Sequence, residues 1–300
     1  MDIATHTMAG IVLASPFVSA APIGAACFVL GSALPDLDSL SRLFGKTAFL
    51  RWHQTYTHSL PAIGLLAGAA AAACWALGVP EPWAPLALGA GMVLHSLMDL
   101  TNTYGMGWLW PFDRRRRAAS FVFFIDAPVL AASVLACGPA VRSFLRPGSG
   151  GWGAAAAYAG FLAAYWPIRW AICRRARRRQ PPGTVSLVPS ALVPWRFYGL
   201  ARRGDEAITY ELNALTGAVR NEQRRETLDR TYAERLARLD EYRQMRDLSA
   251  GYCVVEARRH DGELTLTCRD LRTRNFGGTF GALDVTFDGD GNVTKKVFHV

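Results

Sequence analysis

Residues 8–34 read MAGIVLASPFVSAAPIGAACFVLGSAL, and the path of this stretch decides the fold. It is apolar and long enough to cross a hydrocarbon core once, which takes about 20 residues. Pro16 and Pro22, with Ser15, Ser19 and Gly24 nearby, interrupt its middle. A proline there removes a backbone donor and crowds the preceding turn. Two readings stand. The stretch is one long span, or a hairpin of two short helices, roughly 4–18 and 22–34, that enters and leaves on one side. A re-entrant hairpin is tolerated only when packed against other helices.

Four further apolar stretches follow at 60–79, 83–100, 119–138 and 152–173. Core helices of a water-soluble domain show a polar face. These show almost none, apart from His95, Asp99 and Asp126. Beyond residue 173 the chain turns charged and mixed. The expectation is a mainly α polytopic helical membrane domain, four spans plus an N-terminal helical hairpin, with a C-terminal soluble α+β domain. Its parts are a membrane-embedded domain at 1–175, a basic Pro-containing linker at 176–183 and a cytoplasmic α+β domain at 184–300.

The net charge of +9 is concentrated in Arg114–Arg117 and Arg174–Arg179, each beside an apolar stretch. That placement fits the positive-inside rule and anionic lipid head groups as partners, rather than nucleic acid. With both clusters cytoplasmic, His53, His58, His95 and Asp99 gather at the cytoplasmic surface, and Asp36 and Asp38 lead into the same loop. His6 joins them only if residues 8–34 turn back. The start of the chain is not basic and reads as no ordinary signal peptide. The six cysteines form no close pairs, so neither a disulfide framework nor a thiolate zinc site is expected.

Histidine and aspartate are ligands for zinc, manganese and iron. His95 and Asp99 are spaced i, i+4, which puts both on one helix face, and Asn102 shares that face if the helix continues. The plain alternative is a polar contact between helices, but ionisable groups inside a span are costly and usually functional. His53 and His58 flank a turn ahead of Ser59 and Pro61, which resemble a helix start. Pro35 holds Asp36-Leu37-Asp38 extended, so one aspartate binds metal while the other orients a histidine; both bind if the chain turns. His6, weakest alone, is grouped with them by its company. Asp113 and Arg114 follow an aromatic belt at 108–112, and offer either interfacial anchoring or a phosphate contact.

In order, Thr5-His6-Thr7-Met8-Ala9-Gly10, Leu34-Pro35-Asp36-Leu37-Asp38, His53-Gln54-Thr55-Tyr56-Thr57-His58-Ser59-Leu60 and His95-Ser96-Leu97-Met98-Asp99-Leu100-Thr101-Asn102-Thr103-Tyr104-Gly105 resemble the bacterial membrane-bound metal-dependent hydrolases. Trp110-Pro111-Phe112 also fits. The resemblance covers about residues 1–175. Many relatives carry arginine and glycine where this chain has Gln54 and Thr55, which puts a substrate contact there in doubt. The resemblance implies a hydrolase with a polyhistidine–aspartate site, and a remoter analogy leads to zinc-dependent phospholipase C.

Four histidines and up to three aspartates exceed the needs of one tetrahedral zinc. Two divalent ions are therefore expected, zinc first, with manganese or iron as alternatives. The metal set is His6, Asp36, Asp38, His53, His58, His95 and Asp99. Asp38, His53 and Asp99 are the catalytic candidates, and Asn102, Asp113 and Arg114 supporting or substrate-contacting ones. Hydroxide attack on a lipid-linked ester, foremost a phosphoester, at the inner-membrane surface follows. The rival is a non-catalytic metal-binding membrane protein or transporter. In the tail, strands are expected at Ala207–Leu212, Tyr252–Arg258, Glu263–Arg269, Ala282–Phe287 and Val293–Val300, with one charged helix over Arg224–Leu248.

Overall fold

The computed structural model describes residues 1–146, 151–272 and 280–299, so Val300, placed at the end of the last expected strand, lies outside the described residues. The chain divides into two compact units, Met1–Ser41 with Trp52–Ala171, and Arg42–Arg51 with Ile172–Val300.

In the first unit, α1 (Ile3–Ala14) begins where the Asp2 side chain caps the Thr5 amide. It ends in a short 3₁₀ turn at Ser15–Phe17, and Pro22 then opens α2 (Pro22–Ala33). The chain thus breaks at its two prolines, and α1 packs on α2. α2 runs directly into a 3₁₀ helix, Leu34–Phe44. Lys46–Trp52 forms α3. Ser59 caps α4 (Leu60–Ala76), and α5 (Ala84–Leu100) packs extensively on α2. Two glycines permit that approach: a Cβ at Gly31 would overlap the Leu88 carbonyl, and one at Gly91 the Phe28 carbonyl. α6 (Ala127–Leu145) and α7 (Trp152–Arg179) complete the helices of the N-terminal half.

These helices correct the four-span expectation. Only Pro22–Phe44 and Ala127–Leu145, among the described residues, are long and apolar enough to cross a membrane, and by length and composition alone. α4 and α5 are 17 residues each. Residues 119–126 of the expected third span are not helical. Their amides bond back to the end of α5: Ala119 N to Leu100 O, Ser120 N to Asn102 O, and Phe121 N and Val122 N to Thr101 O. α7 carries the fourth stretch on into the arginine cluster and is not apolar enough to qualify, because Tyr165, Trp166, Pro167 and Arg169 interrupt the stretch itself. Hydropathy read continuous apolar sequence as continuous helix and missed backbone pairing between loops.

The C-terminal half also differs. It holds two four-stranded antiparallel sheets, ordered β1-β2-β3-β4 and β5-β6-β7-β8. The first comprises β1 (Thr184–Pro189), β2 (Arg196–Arg203), β3 (Glu206–Asn213) and β4 (Val219–Glu226). The second comprises β5 (Tyr252–His260), β6 (Glu263–Asp270), β7 (Ala282–Phe287) and β8 (Val293–His299). The single helix expected over Arg224–Leu248 is instead the end of β4 followed by α8 (Asp229–Leu236) and α9 (Asp240–Leu248). β4 is exposed at every residue, so no hydrophobic alternation marks it. Leu264, Leu266 and Cys268 alternate inward on β6 and join Leu236, Tyr242, Met245 and Phe287 in one core. Phe49 and Leu50 of α3 complete that core, each contributing about 1.5–3 kcal/mol by burial.

A candidate metal centre

α5 supplies His95 and Asp99 from successive turns of one face, both fully buried. His95 Nδ1 lies 2.8 Å from the Ser32 carbonyl oxygen. A carbonyl only accepts, so Nδ1 carries the proton and Nε2 presents a lone pair. His58, in the turn before α4, meets it with Nε2 at 3.1 Å. The Nδ1 of His58 sits 3.0 Å from Thr57 Oγ1 and 3.6 Å from Asp38 Oδ2. Thr57 Oγ1 donates to Asp38 Oδ2 at 2.9 Å, so its lone pair accepts from His58 Nδ1. That assignment leaves His58 Nε2 unprotonated as well.

Asp36 Oδ1 approaches His95 Nε2 at 3.5 Å, and Asp99 Oδ2 lies 3.3 Å from His58 Nε2 and 3.7 Å from His95 Nε2. One ligand atom from each of Asp36, His58, His95 and Asp99 falls within 4.8 Å of the others. A tetrahedral ion with bonds of about 2.0–2.1 Å spaces its ligands by about 3.3 Å. The donor set and its spacing fit a divalent ion, because electron pairs converge there with too few protons among them. Burial, and next the neighbouring His95, hold the His58 pKa well below the usual histidine value, which keeps the ring neutral for ligation.

The other expected residues stand around this cluster. Asp38 is not in the four-residue group; its Oδ1 lies 2.5 Å from His53 Nδ1, and its Oδ2 accepts from the Gln54 amide at 2.9 Å. The 3₁₀ winding separates the two aspartates, sending Asp36 to His95 and Asp38 to His53. His6 stacks on His95 with centroids 3.6 Å apart, and its Nε2 is 3.2 Å from Asp99 Oδ1. The Met1 nitrogen also contacts Asp99 Oδ1. Asn102 holds the turn after α5, its Oδ1 accepting from the amides of Tyr104 and Gly105. Asp113 pairs with Arg117 at 2.7 Å, and this contact lowers its pKa. Arg114 is exposed.

Two structural roles have no sequence signal: that of Gln54, singled out in the sequence only as a departure from relatives, and that of Arg116, one of four consecutive arginines. Gln54 adopts a left-handed backbone, φ 58°. Its amide N–H reaches Asp38 while its side-chain Nε2 donates to Asp99 Oδ2 at 3.0 Å. Arg116 donates to Gln54 Oε1 at 3.3 Å, to the Gly105 carbonyl at 2.9 Å, and to His53 O and Thr55 Oγ1. Enclosure lowers its pKa to about 10, against the opposing pull of Asp38. Within a run of four arginines nothing in the sequence singles it out.

The YdjM inner membrane protein family matches residues 1–177. The uncharacterized protein YfhP of Bacillus subtilis (strain 168) is 29% identical over 195 residues, covering 60% of this chain and 57% of that protein. The chain thus spans little more than half the length of this curated relative. No solved structure matches.

Proposed function

We propose, on the premise that this chain belongs to the YdjM inner membrane protein family, that it is a membrane-bound metal-dependent hydrolase. The observation that carries this reading is the buried convergence of Asp36, His58, His95 and Asp99. These four hold a divalent ion, zinc first, with manganese or iron as alternatives. His6, whose Nε2 lies 3.2 Å from Asp99 Oδ1, would help hold a second ion beside the first. A bound divalent ion supplies Lewis acidity and lowers the pKa of water.

The chain's own groups do the rest. Asp38 commits His53 Nδ1, so proton exchange with the attacking water and the leaving group falls to His53 Nε2. His53 is the histidine of the site that retains exposure, 28% of its side chain, as a proton shuttle requires. Asp38 also steadies His58 through Thr57. Asp99 draws on both its oxygens and is fixed by Gln54, which Arg116 in turn fixes.

The substrate in this reading is a lipid-linked ester, a phosphoester foremost, met at the cytoplasmic face of the inner membrane. Arg114, Arg115 and Arg117 attract anionic head groups, and the arginines of 174–179 do the same, although Arg175 and Arg179 also donate to the carbonyls of residues 214–215. The test is turnover of a panel of phospholipids and other lipid-linked phosphoesters by the zinc-loaded full chain. A water-cleaved product, absent with His53→Gln and with His95→Ala, is expected. Bound zinc with no turnover across the panel would favour the non-catalytic metal-binding or transport alternative.

A further inference from the structure

The 3₁₀ helix Leu34–Phe44 is long for its kind, since such runs rarely exceed three or four residues. Three residues per turn eclipse side chains at i and i+3. Leu34, Leu37 and Leu40 therefore form one straight outward ridge, exposed by 38%, 47% and 58%. Pro35 and Ser41 point inward, with Asp38 between them on that face, and Asp36 belongs to the metal cluster. An α-helix would advance each leucine by 300° and dissolve the ridge into a spiral. The tighter winding thus presents carboxylates inward and leucines outward from the same two turns.

We infer that this ridge seats an acyl chain of a membrane phospholipid, with the lipid's polar head brought to the Asp36 rim of the metal cluster. The inference rests on the metal-site reading for what happens at the head, and names the class of molecule that approaches it. Three observations favour lipid over a protein partner. The ridge carries no charge at its outward positions. It continues the exposed Ile23 and Leu30 of α2. It also forms the second part of the 23-residue apolar segment Pro22–Phe44. At about 2 Å rise per residue the ridge is about 12 Å long, close to the roughly 15 Å depth of one leaflet's hydrocarbon.

The experiment uses the full chain in phosphatidylethanolamine/phosphatidylglycerol vesicles doped with phosphatidylglycerol bearing a diazirine in its acyl chain. Photolysis is followed by peptide mapping, with zinc binding measured on the same preparation. Acyl-chain adducts on residues 34–40, together with adducts on the exposed Val134 and Leu135 of α6, are expected. Labelling of α6 with residues 34–40 unlabelled would overturn the inference, as would labelling of 34–40 only by a head-group diazirine or labelling of neither segment. Adducts on 34–40 without zinc binding would keep the lipid seat and remove the metal reading; zinc binding without those adducts would do the reverse.

Discussion

The Nε2 atoms of His58 and His95 face each other at 3.1 Å, both rings fully buried, although 37 positions separate them in the chain. The Ser32 carbonyl accepts from Nδ1–H of His95, and Thr57 Oγ1 accepts from Nδ1–H of His58, so each proton sits on the nitrogen away from the other ring. Two imidazole lone pairs held this close repel unless a cation lies between them.

The Asp38–His53 pair lies beside the cluster of Asp36, His58, His95 and Asp99 rather than within it. His53→Gln is therefore expected to keep the zinc stoichiometry of the wild type. Asp38→Asn removes the carboxylate that steadies His58 and is expected to weaken zinc binding by about 10–100-fold. Competition titration with a chromophoric chelator measures both, and equal losses would place His53 in the ligand set.

Arg116 bonds to the backbone or side chains of His53, Gln54, Thr55 and Gly105. A lysine offers a point charge in place of the planar fork. Arg116→Lys is expected to cost on the order of 2 kcal/mol through lost charge-assisted bonds, read as a lower Tm of the detergent-solubilised protein. An unchanged Tm would show that loop 53–55 holds itself.

Asp126 caps α6 through the Val129 amide, accepts from Tyr165 at 2.8 Å, and lies 3.7 Å from the buried Arg169. Burial raises its pKa. Asparagine keeps the cap and removes the charge, so Asp126→Asn leaves the guanidinium without its counter-charge at a cost of about 3–5 kcal/mol. Thermal unfolding of Asp126→Asn and of Asp126→Asn/Arg169→Met checks this: the double variant is expected to recover much of the loss.

Burial pushes the Cys253 thiol up to about 12 and the Cys268 thiol higher still. Thiolate, the alkylated form, is then scarce at any pH below 12. Iodoacetamide at pH 8 is expected to leave both thiols unmodified in the native chain and to modify both in denaturant. Native labelling would mean that the second sheet opens.

The site was more legible than the fold. His95 and Asp99 at i, i+4 fix their own geometry, and α5 needed only to be a helix for them to meet. The Pro35-Asp36-Leu37-Asp38 sequence leaves open whether one aspartate or both bind metal; in the structure Asp36 approaches His95 and Asp38 approaches His53. The four-span domain failed because apolar composition does not distinguish helix from the loop 119–126, whose amides pair with the end of α5. β4 was missed because an exposed strand carries no alternation. The structural roles of Gln54 and Arg116 were not legible for another reason: they come from a left-handed turn and a guanidinium folded under it, neither of which has a sequence signature.

The most direct measurement is elemental analysis of the full chain purified without chelators, beside His95→Ala. The account predicts zinc, manganese or iron at one or more ions per chain in the wild type, and loss of most of it in the variant. Metal absent from both, or equal in both, would contradict it.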